Sequence, residues 1–123
     1  MRILVKNVGI LWRYSMSSEM QQFKADFFKA LAHPLRIQIL ELLVEGEKSV
    51  TEIQELLGSE GSVVSQQLSV LRAKNIVIGT KDKNRVVYAL RDPMIAELLL
   101  VSRTIFNNHL INTISMLDKL EGE

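Results

Sequence analysis

Residues 59–75, SEGSVVSQQLSVLRAKN, decide how this sequence folds and which of its surfaces is built to touch something. Val64, Leu68 and Leu71 recur at helical spacing and make one apolar stripe for a core. The opposite side carries Ser62, Ser65, Gln66 and Ser69, small and uncharged, where a solvated helix face usually keeps lysines and glutamates. Long charged side chains hold a helix away from whatever it faces, whereas hydroxyls and carboxamides let it approach closely. The ten residues before this stretch, SVTEIQELLG (49–58), read as a shorter helix. Ser49 stands at its cap with Glu52 three residues on, a capping box, and Gly58 supplies the stop. Ser59 is expected to cap the second helix, which should run to about Lys74.

Downstream of Asn75 the hydrophobic period changes. IVIGT (76–80) and RVVYAL (85–90) are short β-branched and aromatic runs joined by the polar KDKN (81–84), the pattern of a β-hairpin with a charged tip. RDPMIAELLLVSRTIFNNHLINTISMLDKL (91–120) closes the chain as a long helix, with Asp92 as cap and Pro93 at the first helical position. Its apolar residues, among them Ile95, Leu99, Phe106, Leu110 and Ile114, are too many for a small domain to cover, which points to a second copy.

Upstream, SSEMQQFKADFFKALA reads as a helix over about 19–31, capped by Ser17 or Ser18. HPLRIQILELLVEG starts another at Pro34 and ends it at Gly46, with Leu35, Ile39, Leu42 and Leu43 facing inward. Residues 1–16 form an N-terminal extension, either an arm that packs on a partner or a poorly ordered segment. Lys6 and Arg13 interrupt its apolar run, so a secretory signal is not expected. Residues 17–123 are expected to be one domain.

A chain of 123 residues, 47% hydrophobic and 24% charged, suits a single globular unit, and no apolar run is long enough to span a membrane. Without cysteine it has no disulfides, thiolate metal sites or thiol chemistry, which fits a cytoplasmic protein. The net charge is only +1, but the charges are segregated. Glu41 to Glu60 holds six acidic residues against Lys48, and Leu71 to Arg91 holds six basic residues against Asp82. One face therefore carries a positive field despite the near-neutral total.

Two short helices around a glycine turn have helix-turn-helix spacing, in which the second helix enters the DNA major groove. Gln66 can bond adenine at N6 and N7, and the serines can donate or accept. Arg72 suits a phosphate, and Lys81, Lys83 and Arg85 on the hairpin would reach the flanking backbone. The fold class expected is mainly α with a small β-hairpin: a winged helix-turn-helix, dimeric through helices at about 19–31 and 92–120. An enzyme is not expected, since there is no cysteine nucleophile, Gly-rich phosphate loop or H-E-x-x-H. The rival reading is a winged-helix interaction module without specific DNA binding, which would have no need of a basic hairpin beside a serine-rich helix.

Four blocks in succession, ALAHPLRIQILELL, SVTEIQELL, SVVSQQLSVLRAKNIV and NRVVYAL, resemble the ArsR (arsenical-resistance-type) family of winged-helix repressors, over roughly Phe27 to Asp92. The resemblance implies a homodimer that represses transcription on double-stranded operator DNA and releases it when an inducer binds. It places Ser62, Ser65, Gln66 and Gln67 on the recognition helix and Lys81, Lys83 and Arg85 on the wing; Ser49, Val63, Ser69 and Arg72 are expected to touch DNA with them. The departures are informative. Where many metal-sensing relatives carry Cys-Val-Cys, this chain has Ser49, Val50 and Thr51, none a soft ligand. Where others bind zinc between paired C-terminal helices, Asp92 matches one ligand, but Met94, Ile105 and Asn108 replace the rest. His109 is out of register by one residue, about 100° around the helix. No metal site and no cofactor are expected. The inducer is left open: a small organic molecule near the dimer helices, a partner protein, or none.

Overall fold

A computed structural model describes residues 9–13 and 17–122. Five helices and a three-stranded sheet follow one another as α1 (Ser18–Leu31), α2 (Pro34–Val44), β1 (Lys48–Ser49), α3 (Val50–Leu57), α4 (Gly61–Ala73), β2 (Val77–Asp82), β3 (Arg85–Leu90) and α5 (Pro93–Glu121). Residues 9–13 are also helical, with Ile10, Leu11 and Trp12 exposed. The remainder of the N-terminal extension lies outside the described residues.

The helix starts follow local chemistry. Ser17 accepts from the Met20 N–H at the head of α1, and Pro34 opens α2 behind His33, whose Nδ1 accepts from the Leu35 N–H at 3.1 Å. At α3 the capping box is complete: Ser49 Oγ accepts from the Glu52 N–H, and Glu52 Oε1 accepts from the Ser49 N–H. Gly58 ends α3 in the left-handed region, φ 66°, where a side chain would be strained. Helix α4 departs from expectation. It begins at Gly61 behind Glu60, which makes no side-chain cap bond, so Ser59 is not its cap. The turn after Gly58 takes one residue more than a serine cap would allow. Asn75 ends α4 at φ 59° in a Schellman arrangement, the Ile76 N–H reaching the Leu71 carbonyl and the Asn75 N–H that of Arg72, each at 3.0 Å.

The core gathers one face from every element. Ile39 and Leu40 of α2, Ile53 of α3, Val64, Leu68 and Leu71 of α4, and Ile76 and Val77 at the entry to β2 are all fully buried or nearly so. Burying one such leucine or isoleucine is worth about 1.5–3 kcal/mol, so α3 and α4 are held more by this packing than by propensity. The α4 stripe lies where its spacing puts it. Leu40 was not among the expected inward residues, because α2 is covered from more than one side. β2 and β3 pair antiparallel from Val77–Leu90 to Asp82–Arg85, leaving Lys83 and Asn84 as the turn. Gly79 stands opposite Tyr88, where a Cβ would come within 3.1 Å of that ring. β1 pairs with β3 through Lys48–Tyr88 and Ser49–Val87, giving the order β1-β3-β2. This third strand was not expected from the sequence, since two residues carry no period.

Helix α5 leaves the body early. Ile95 and Leu99 are buried against it, but every described residue beyond Ser102 is exposed. Phe106 is 67% exposed and Leu110 57%.

Candidate nucleic-acid interface

Helix α4 presents Ser62, Val63, Ser65, Gln66 and Ser69 together on its solvent side, all exposed, behind a buried stripe that fixes its rotation. Ser69 Oγ donates to the Ser65 carbonyl at 3.0 Å, which spends its proton within the helix and leaves its lone pairs facing out. Arg72 is exposed one turn further on. Lys81 and Lys83 are exposed at the hairpin, and Lys83 holds the left-handed conformation at φ 58° at the turn itself. Among the described residues no ion pair involves Arg72, Lys81 or Lys83, so their charges are uncompensated.

Three other expected residues sit differently. Ser49 is buried, 3% exposed, and its hydroxyl and N–H are both spent in the capping box. It orients α3 from inside the fold rather than presenting its side chain to solvent as the residues of α4 do. Gln67 is half-buried, and its Oε1 accepts from Arg36 Nε at 2.8 Å. Arg85 is exposed, but its guanidinium pairs with Glu52 at 3.0 Å and stands 3.9 Å from Asp82. Its charge is shared before any ligand arrives.

Glu52 thereby joins two elements. Its carboxylate accepts from the Ser49 N–H at the head of α3 and from Arg85 on β3. Its pKa is held below the ordinary carboxylate range, first by the Ser49 backbone N–H, then by the Ser49 hydroxyl, with Arg85 and Lys48 adding positive charge. Neither Arg36 nor the second role of Glu52 was found in the sequence. Arg36 and Gln67 are 31 residues apart, and Glu52 and Arg85 are 33 apart, beyond any local pattern.

The positions compared above with metal ligands have these surroundings in the fold. Asp92 Oδ1 caps α5 by accepting from the Met94 N–H at 2.9 Å, Met94 itself is exposed, and His109 is exposed on the free part of α5. Among the described residues no three of His, Asp and Glu gather around a common point. Among them, too, no helix is long and apolar enough to cross a membrane. Beside Asn75 and Arg91, which flank the two hairpin strands, α1 and the start of α5 border an open cleft of about 590 Å³, with Phe23, Phe27, Met94 and Leu98 in its walls.

Residues 33–78, which contain both helices of the motif, match the family described as bacterial regulatory protein, arsR family. Over 107 residues the chain is 45% identical to the uncharacterized HTH-type transcriptional regulator Rv0081 of Mycobacterium tuberculosis, covering 86% of this chain and 94% of the relative. It is 38% identical over 82 residues to the biofilm growth-associated repressor of Xylella fastidiosa, covering 67% of this chain and 72% of that one. The crystal structure of Rv0081 superposes with a TM-score of 0.72 over 80% of this chain and 99% of that one. The solution structure of the homodimeric winged helix-turn-helix DNA-binding domain Mb0332 of Mycobacterium bovis, 28% identical, superposes with a TM-score of 0.70 over 76% and 86%. With a winged helix-turn-helix on the page and a near full-length relative at this identity, the chain belongs to the ArsR family of bacterial regulatory proteins.

Proposed function

We propose that this protein is a transcriptional repressor that binds a specific double-stranded DNA site as a homodimer in the cytoplasm. The observation that carries the reading is the short-chained, uncharged face of α4 beside a hairpin whose lysines are unpaired. In this reading α4 lies in the major groove, where Ser62, Ser65 and Gln66 meet base edges, while Arg72, Lys81 and Lys83 bond phosphates. The exposed apolar faces of α5 and α1 pair with those of a second copy, and the twofold axis makes the DNA site a near-palindrome with half-sites about 34–36 Å apart or a multiple of it. The name of the Xylella relative as a repressor and of the Mycobacterium bovis neighbour as homodimeric support the same assignment. With neither thiols nor a fitting metal site, the inducer is an organic molecule or a partner protein, or repression is relieved without one.

Fluorescence anisotropy tests this, using a duplex selected from a random pool against its scrambled counterpart at two salt concentrations. The expected preference is on the order of a thousandfold. Gln66→Ala should cost about 1–3 kcal/mol on the selected duplex and shrink that preference. Lys83→Ala should weaken both duplexes alike and lower the salt slope by about one. Equal, weak binding to both duplexes would favour an interaction module instead.

A further inference from the structure

Arg36 ties the reading helix to the end of α1. It lies half-buried on α2, two residues after Pro34. Its Nη1 donates to the Ala30 carbonyl at 3.1 Å, and its Nε donates to Gln67 Oε1 at 2.8 Å. The Ala30 carbonyl needs that donor: the residue four places on is Pro34, which has no N–H to close the helical bond. Arg36 is therefore fixed at one end by the backbone of α1, and its planar fork fixes Gln67 at the other.

The chemistry of the two groups then decides which way the Gln67 carboxamide is turned. Arginine has donors and no acceptor, so only the carboxamide oxygen can face it. One lone pair of that oxygen is engaged on the inner side and the oxygen is held there, so the group of Gln67 turned away from Arg36 is its NH₂, two donors. Bidentate recognition of adenine needs the oxygen and the nitrogen of one carboxamide together along the base edge. Gln66, exposed and without a side-chain bond among the described residues, has both free.

We propose that Arg36 is a positioning residue which holds the Gln67 oxygen inward and presents its NH₂ as a clamp on a DNA phosphate, so that of the two adjacent glutamines only Gln66 reads a base. The inference rests on the DNA-binding reading above and deepens it. It divides QQ into one residue that sets sequence preference and one that sets register. It also makes the end of α1, a helix given to the dimer interface, part of what holds the reading helix in place.

The test is a double-mutant cycle between Arg36→Lys and Gln67→Ala, with Gln67→Glu alongside, titrated onto the selected and scrambled duplexes. Lysine keeps the charge but has no fork to span Ala30 and Gln67 together. Gln67→Ala should weaken both duplexes by the same factor, about tenfold for a bond to a charged group, and leave their ratio unchanged. Arg36→Lys should weaken both as well, and that cost should vanish when residue 67 is already alanine. Gln67→Glu keeps the contact to Arg36 and removes the donor, so the melting temperature should hold or rise while both duplexes bind less tightly. A Gln67→Ala protein that loses sequence preference as Gln66→Ala does would overturn the assignment. So would an Arg36→Lys cost that persists in the Gln67→Ala background, the mark of a merely structural arginine. Wild-type protein that binds both duplexes equally would sink the sequence-specific reading alone, because the coupling of residues 36 and 67 in that binding still decides the positioning role. Binding to neither duplex would overturn both.

Discussion

Ser49 shows how far a residue's type can mislead about its role. A serine at the entrance to a helix-turn-helix suits a phosphate contact on paper, yet this one is buried and bonded on both sides of a capping box. Ser49→Ala should therefore lower stability by about 1 kcal/mol, as the loss of a helix cap does, with no change in the salt slope of DNA binding. Chemical denaturation and anisotropy on the same protein check the two halves. A shallower salt slope with unchanged stability would restore Ser49 to the interface. By contrast, the residues of α4 that Val64, Leu68 and Leu71 turn outward are exposed as the helical period requires, because a stripe of three buried side chains leaves a helix no freedom to rotate.

Between elements, the joint is Glu52. One carboxylate satisfies the head of α3 and holds β3 through Arg85, so the wing is tied to the first helix of the motif. Its pKa is lowered in the fold, so its contribution is fully present above the unfolded carboxylate range and is lost as pH falls through its lowered folded value. Acidification below the ordinary carboxylate range should loosen α3 and the hairpin together. Hydrogen exchange should show the N–H groups of Ser49 and of β3 losing protection before those of the α4 interior. In Glu52→Gln this acid-dependent step should be much reduced, and a step of undiminished size would place the titrating group elsewhere. The third strand belongs to the same scale. Lys48 and Ser49 are extended only because β3 lies beside them, which no two-residue pattern can announce.

At the scale of the molecule, the open question for one chain is what covers α5. A helix of 29 residues, about 43 Å long at 1.5 Å per residue, is buried on the body only through its first turns. Leu110→Lys, in its exposed apolar part, should give a monomer by analytical ultracentrifugation with little loss of helix content. Affinity for the selected duplex should then fall on the order of a hundredfold or more, since two linked reading heads gain that much from acting together. A variant that stays dimeric would move the interface to α1 and the cleft beside it.

The sequence by itself determined the order of the five helices and the hairpin, the caps at Ser49 and Asp92, the stop at Gly58 and the outward face of α4, and narrowed the cap of α1 to two serines, because each depends on residues within a turn or two of one another. Tertiary structure alone decided which of the polar residues are free. Whether Gln67 and Arg85 face a ligand or a neighbour turns on Arg36 and Glu52. Those partners come from more than thirty residues away, where local periodicity has no reach.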